Sequence, residues 1–442
     1  MKRTAVSPSD LWNTAAETIR TGKAKVAVLG LGYVGLAVIE GLCQTGCPIV
    51  GLDINTELAE SYRSGDLPPD LDVYLKKRSL LISNEFAGLK KCDVVLICVP
   101  TPLDRSKNPD LSFVYEASRH IAKYLRKGQL IILESTTYPG TTEEEVRPIL
   151  EETGMQCGRD FFLAYCPERV DPGNPDFNVS NIPRVLGGVD EKSGQLAAAF
   201  YSRFVPSVAI LSSARAAEAA KILENIYRCV NIALVNELKM LFDKMDIDIW
   251  EVIEGASTKP FGFHPFKPGP GLGGHCVPID PFYLSWKARQ FGTRTRFIEL
   301  AGEVNATISE FVFSHIVSTL NSHGKSLRNA RVLILGVAYK PGVPDTRESP
   351  AGPILSRLHT EGAKVSYNDP YVPDYHVPDC DGLSLRSHRL TERFLSQQDC
   401  VVIVTDHPEY DFEWIVKHSP VVVDTRNATE HVKVHRSKIV KA

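Results

Sequence analysis

Short runs of β-branched and other apolar residues alternate along this chain with longer stretches in which apolar positions recur at helical spacing. Residues 25–30 read KVAVLG. A glycine-rich turn, a stretch of helical period and a second apolar run over 48–52 follow, and that run ends at Asp53. The pattern predicts strand, turn, helix, strand. Further strands are expected at 93–99 (DVVLICV) and 130–133, the first leading into PTP at 100–102 and the second into ESTTYPGTT at 134–142. From 214 to 254 neither glycine nor proline occurs, and the strong helix formers there predict one helix of about 30 residues. That exceeds the usual length of a packed helix, so it is expected to bridge two domains and to offer a surface to a second copy. A short amphipathic helix is expected over 8–21. The closing block repeats the opening one, with strands at 331–336 (RVLILG), 364–367, 400–405 (CVVIVT) and 421–424 and a helix from about 350. The interval from Val332 to Val401 nearly equals that from Val26 to Val94.

Gly30, Gly32 and Gly35 form G-x-G-x-x-G, with Tyr33 and Val34 between the last two, and Asp53 closes the second strand. Such glycines permit a tight turn and close approach to a pyrophosphate at a helix N-terminus, while the acid takes the ribose hydroxyls. Strand, helix and acid agree on a Rossmann unit. An aspartate there favours NAD over NADP, whose 2'-phosphate it would repel. In the closing block Gly336 is followed by VAYKPG, without the second and third glycines. A second Rossmann-like domain is therefore expected to take a different phosphate ligand, with Lys340 as a contact. The expected fold class is α/β, with two Rossmann-like doubly wound domains joined by a long central helix. The expected divisions are an N-terminal extension (1–22), an NAD-binding domain (23–210), a central helical and dimerisation domain with the cysteine loop (211–325), and a C-terminal Rossmann-like domain (326–442).

The chain has 442 residues, 43% hydrophobic and 23% charged, with a formal net charge of -3, which suits two or three soluble domains. No basic excess points to nucleic acid or an anionic membrane surface, and no run approaches the roughly 18 to 20 apolar residues of a membrane span. The first 22 residues carry Asp10 and Glu17 and no apolar run, so no signal peptide is expected. Ten cysteines are scattered without a CxxC pair, the pattern of reduced thiols in a cytoplasmic protein without a bound metal.

One of those thiols stands apart. Residues 271–280 read GLGGHCVPID, and Gly269, Gly271, Gly273 and Gly274 crowd ahead of Cys276. A cysteine delivered by so permissive a loop, four residues before Asp280, is placed for covalent chemistry. The alternative is an ordinary buried thiol, since free cysteine is among the most buried residue types. On the long helix, Lys221 and Asn225 are spaced i, i+4 and share one face. A lysine on such a helix is ordinarily solvated, but here its neighbours, AAEAAKILENIY, are small and apolar.

GLGYVGL, VPTP, ESTTYPGTT, CPER (166–169), the Lys221 helix, GPGLGGHCVPIDPFYL and DTRESPA (345–351) together resemble the UDP-glucose/UDP-N-acetylhexosamine 6-dehydrogenase family, in that family's order and over nearly the whole chain. PERVDPGNPDF and ASTKPFGFHPF look most like the branch acting on UDP-N-acetylglucosamine. Pro172 stands where the UDP-glucose branch carries a second glutamate. The resemblance implies four-electron oxidation of the C6 alcohol of a UDP-N-acetylhexosamine, made for surface polysaccharide precursors, by a homodimer or higher homo-oligomer. UDP-N-acetylmannosamine, UDP-N-acetylgalactosamine and UDP-glucose are the alternative substrates. A two-electron hydroxyacid-type dehydrogenase and an inactive nucleotide-binding module are the competing classes, and Cys276 with DTRESPA weighs against both.

Two hydrides must leave in sequence to turn a primary alcohol into a carboxylate. A thiol that adds to the aldehyde retains it as a thiohemiacetal, whose oxidation gives a thioester for hydrolysis. By resemblance, Cys276 is that nucleophile, Lys221 and Asn225 stabilise the oxyanion, and Asp280 works with Lys221 in proton transfer. Glu168, with Thr136, prepares the hydrolytic water. Thr101, Thr136 and Arg347 are the implied additions to the cofactor contacts, although Arg347 also reads as an ion pair with Asp345 or Glu348. Glu168, Arg169, Lys221, Asn225, Phe266, Gly269, Gly271, Gly273 and Lys340 are the implied substrate contacts. His275 is read as structural and Cys166 as a bystander.

Overall fold

The computed structural model describes residues 8–104, 108–171, 174, 176–274, 276–380 and 382–442. Pro172 and His275 lie outside these. The chain divides into two compact units, Met1–Glu224 with Phe282–Thr293, and Asn225–Pro281 with Arg294–Ala442.

The first unit is built on eight strands: β1 (Val26–Leu29), β2 (Ile49–Leu52), β3 (Leu80–Ser83), β4 (Val94–Ile97), β5 (Leu130–Leu133), β6 (Phe162–Tyr165), β7 (Arg184–Gly188) and β8 (Val208–Ile210). They lie in the order β3-β2-β1-β4-β5-β6-β7-β8. The first six are parallel and in the doubly wound order expected of a dinucleotide fold. The continuous apolar character of β1, β2, β4, β5 and β6 follows from burial on both faces, while β3, at the edge, leaves Leu81 exposed. β7 reverses direction against β6, and β8 runs parallel to β7. The run at 48–52 loses its first residue, because Pro48 has no N–H for the ladder but still gives its carbonyl to Val26. The helix expected over 8–21 spans Pro8–Arg20.

The second unit holds β9 (Arg331–Leu335), β10 (Lys364–Asn368), β13 (Cys400–Ile403), β14 (Val422–Asp424) and β15 (Ile439–Lys441) in a parallel sheet of order β10-β9-β13-β14-β15. A separate antiparallel pair, β11 (Asp374–His376) and β12 (Ser384–Arg386), follows β10. Val312, Ile316 and Leu320, one face of helix Arg296–Ser322, pack into the same core cluster as Val332, Val402 and Val423. The long helix is a single element of 31 residues, Ala214–Lys244.

The first glycine turn is built from backbone approach. Gly30 has φ 91°, and a Cβ there would stand 2.7 Å from the Cys98 carbonyl oxygen. A Cβ on Gly35 would lie 1.9 Å from the Gly30 carbonyl oxygen, so helix Tyr33–Cys43 can start where it does only with glycine at that position. Gly35→Ala is expected to remove at least about 3 kcal/mol of stability in urea melts, because the clash is with backbone that cannot turn aside. Gly32→Ala, whose Cβ would meet nothing within 4 Å, is expected to fold normally and lose NAD affinity.

Candidate active site

That open space at Gly32 is the part of the turn a pyrophosphate needs. Gly32 stands at the N-cap of helix Tyr33–Cys43, and no side chain there caps the first N–H groups. The helix N-terminus thus keeps donors and a positive dipole end for an anion. Asp53 shapes the cradle: its Oδ2 accepts the Leu31 N–H at 2.7 Å and its Oδ1 the Asn55 N–H at 2.9 Å. The residues present fit NAD. At the ends of β4 and β5, Thr101 donates its hydroxyl to the Thr136 carbonyl at 2.7 Å, bringing two of the expected cofactor contacts together, and Tyr283 donates to the Thr101 carbonyl.

Glu168 is held hard. Its Oε1 accepts the N–H groups of Arg169 and Val170, both at 2.7 Å, and its Oε2 pairs with the Arg184 guanidinium. Arg184 opens β7, is 1% exposed, donates to the Pro167 carbonyl at 2.7 Å and stands 3.8 Å from Glu134. Tyr201 donates to the other Glu134 oxygen at 2.6 Å. Burial pushes the Glu134 carboxyl up to about 7, with Arg184 pulling it back and Glu168 adding to the rise. The clamp makes Glu168 a fixed carboxylate. None of Arg184, Glu134 and Tyr201 was signalled as functional by the sequence, since an arginine opening an apolar strand reads as a surface residue.

Lys221 is half-buried and has no hydrogen bond or ion pair among the described residues. Arg169 is committed to Glu224 at 2.7 Å and to the Pro183 carbonyl at 2.7 Å, so a substrate would have to share it. In the second unit Asn225 donates to Asp280 at 2.5 Å, and both are buried. The Cys276 carbonyl accepts the Asp280 N–H at 2.8 Å. Cys276 therefore stands at the head of helix Asp280–Gln290, the dipole end that favours a negative sulfur. Arg347 adds a positive charge that acts on the thiol, and its fork closes on Asp345 at 2.6 Å, one of the two partners expected. Cys276 is half-buried. Eight of the other thiols, including the bystander Cys166, are pushed up chiefly by burial.

The loop glycines have protein neighbours of their own. A Cβ on Gly273 would stand 2.5 Å from the Tyr339 Cβ, one on Gly274 2.9 Å from its ring, and one on Gly269 2.6 Å from the Arg426 guanidinium. Gly271 has φ 150°. The Asn236 amide accepts the Gly269 N–H and donates to Asn305, each at 3.0 Å. Tyr339, Arg426, Asn236 and Asn305 thus shape the loop next to the expected contacts Phe266 and Lys340, and no sequence signal singled them out. At the end of β10, Asp369 accepts the Val337 and Ala338 N–H groups and binds His407 at 3.1 Å. Burial opposes its charge, but the His407 bond and the N–H groups win and hold its carboxyl below the usual range.

A dinucleotide cradle in one unit, and a second sheet with a thiol at a helix head in the other, define an NAD-dependent oxidoreductase class. Family models agree: the UDP-glucose/GDP-mannose dehydrogenase NAD binding domain matches residues 24–205, its central domain 215–307 and its UDP binding domain 333–431. The chain belongs to the UDP-glucose/GDP-mannose dehydrogenase family, as an NAD-dependent UDP-sugar dehydrogenase. It is 39% identical over 355 residues to a UDP-N-acetyl-D-glucosamine 6-dehydrogenase of Pseudomonas aeruginosa, covering 79% of this chain and 83% of that one. It is 36% identical over 417 residues to a UDP-N-acetyl-D-mannosamine dehydrogenase of Pyrococcus horikoshii, covering 91% and 95%. A solved structure of the UDP-D-ManNAc dehydrogenase from Pyrococcus horikoshii superimposes with a TM-score of 0.84 at 34% identity, over 94% of this chain and 98% of that one.

Because the folded pKa of Glu134 lies near 7, above the ordinary 4.5, folded protein holds that proton more tightly than unfolded protein. Stability from this group is full below pH 4.5 and is lost as pH rises towards 7. Glu134→Gln is expected to flatten this slope, shifting in the variant's favour by about 3 kcal/mol between pH 5 and pH 8 in denaturant melts.

Proposed function

We propose that this protein oxidises the C6 alcohol of UDP-N-acetyl-D-glucosamine to the uronic acid in two steps without releasing the aldehyde. The observation that carries the reading is Cys276 at a helix head, backed by the buried Asn225–Asp280 pair and facing the charge of Arg347. Gly30, Gly32, Tyr33, Val34, Gly35 and Asp53, with Thr101, Thr136 and Arg347, would hold NAD, which would supply the hydride acceptor for each oxidation. Lys221 and Asn225 stabilise the alkoxide, with Asp280 linked to proton transfer. Cys276 adds to the aldehyde, and the thioester formed from the thiohemiacetal is hydrolysed by water positioned by Glu168 and Thr136. Since Arg184 and two N–H groups fix Glu168, its part is to orient and polarise that water. Lys340, Arg169, Phe266 and the Gly269, Gly271 and Gly273 backbone take the UDP-sugar. The N-acetylglucosamine assignment is supported by the Pseudomonas relative at 39% identity. The Pyrococcus relatives favour UDP-N-acetylmannosamine as the second reading, and an epimer is discriminated by few contacts.

The domain roles follow the same reading: an extension at 1–22, NAD at 23–210, the thiol loop and dimerisation at 211–325, and UDP-sugar at 326–442. Ten cysteines outside any disulfide support a cytoplasmic setting, and no helix among the described residues is long and apolar enough to cross a membrane. The product would enter surface polysaccharide synthesis. The homodimer is supported by Tyr227, Leu234 and Leu241 along the long helix and Met245 just past its end, each at least 50% exposed.

With UDP-N-acetylglucosamine and excess NAD, two NADH per sugar and an acid product are expected. Cys276→Ser is expected to lose at least about a thousandfold in steady-state turnover, as removal of a covalent nucleophile does. One NADH with a stable aldehyde would refute the covalent route, and a larger kcat/KM with UDP-N-acetylmannosamine would reassign the substrate. Light scattering should give twice the chain mass, falling towards one in Leu234→Asp.

A further inference from the structure

His407, in the segment that leaves β13, is wholly buried, and no step of the proposed reaction uses it. Both ring nitrogens are engaged. Nδ1 accepts the Gly342 N–H at 3.2 Å, and Nε2 faces the Asp369 carboxylate at 3.1 Å. A backbone N–H can only donate, so Nδ1 keeps its lone pair and the proton sits on Nε2, towards Asp369. The ring is braced on two sides, with the Tyr371 and Tyr410 ring centroids 5.2 and 5.7 Å away. Tyr410 in turn donates to the Asn368 carbonyl at 2.9 Å, and Tyr371 donates to Glu409. The imidazole is thus a rigid strut between the end of β10 and the loop that follows β9.

That strut reaches the far side of Lys340. Before the lysine, Asp369 accepts the Val337 and Ala338 N–H groups, and Thr405 donates its hydroxyl to the Ala338 carbonyl at 2.6 Å. After it comes Pro341, which has no N–H to give, and the next N–H, that of Gly342, goes to His407. Gly342 has φ 74°, a conformation glycine adopts freely, so the turn that aims its N–H at the ring carries no strain. The Tyr339 N–H closes the loop on the Asp345 carbonyl at 2.9 Å. Gly342 is itself exposed, and water can serve its N–H if the imidazole is lost. The worth of the bond is therefore in where it places the loop more than in stability.

We propose that His407 is a positioning residue for the nucleotide sugar: its Nδ1 holds Gly342 and so sets where Lys340 presents its charge to the diphosphate. The proposal rests on the reading of Lys340 as a UDP-sugar contact. A lysine is a compact charge on a flexible stem, so the placing of its ammonium depends on how firmly its backbone is held on both sides. Two substitutions separate the two nitrogens. The Asn oxygen can stand where Nδ1 stands, keeping the acceptor for Gly342 and giving up Asp369. The longer Gln amide reaches the Nε2 position, keeping Asp369 and giving up Gly342.

Calorimetric titration of the full chain with UDP is expected to show affinity about tenfold weaker in His407→Gln and within about threefold of the parent in His407→Asn, with NAD affinity unchanged in both. KM for UDP-N-acetylglucosamine should follow the UDP affinity while kcat stays within about threefold. Hydrogen exchange in a peptide spanning 339–345 should quicken in His407→Gln alone. A general loss of packing would weaken both variants alike. Lys340→Met is the control: parental UDP affinity there removes the lysine contact and this proposal with it. A weakened Lys340→Met beside a His407→Gln of parental affinity, or a His407→Asn as weak as His407→Gln, overturns the part given to His407 and leaves the lysine contact standing. Nitrogen-15 spectra of the histidine-labelled parent depend on no variant folding, and a proton on Nδ1 of His407 would overturn the proposal as well.

Discussion

A carboxylate at the close of the second strand ties down the first loop of each sheet, and most of what each unit can bind depends on that tie. Loops leaving parallel strands carry N–H groups with no ladder partner. Asp53 takes one from Leu31, and Asp369 takes those of Val337 and Ala338, so both loops lie back over the carboxyl edge where ligands bind. The two units then diverge. His407 covers Asp369, which is 3% exposed and has nothing left for a ribose. Asp53 is half-exposed with only backbone partners, and the same device in the first unit therefore suits a dinucleotide.

The strand-turn-helix-strand order was legible because burial on both faces writes continuous β-branched runs, and because a backbone approach of 1.9 Å demands glycine at a fixed spacing. The long helix was legible from its uninterrupted helix formers. What the loop glycines are for was not. Their density announced a crowded loop, but the crowding comes from Tyr339 and Arg426, distant in sequence. Arg184 was silent for a similar reason: its two carboxylate neighbours come from the ends of other strands, and only the fold joins them. β7 gave no sign of its reversed direction, since register and direction are properties of the pairing rather than of the strand.

Burying Arg184 with Glu134 and Glu168 is a costly way to hold one carboxylate still. Removing these groups from water is only partly offset by their attraction, and replacing such groups with apolar residues is often neutral or better for stability. The return is orientation. With both Glu168 oxygens engaged and Pro167 bound through its carbonyl, the segment after β6 has little freedom in which to misplace the carboxylate. Rigid support of this kind is what positioning of a reacting water requires.

The burial of the cysteines has a consequence for chemical selectivity. Eight thiols are held protonated by their surroundings and are poor nucleophiles at neutral pH, while Cys276 stands half-buried at a helix head beside Arg347. A chain with ten cysteines therefore presents soft electrophiles with a very short menu. Competition among its thiols for an aldehyde, an alkylating agent or peroxide is narrowed by the fold before any substrate arrives, and Cys276 and the half-buried Cys380 are the thiols outside that group of eight.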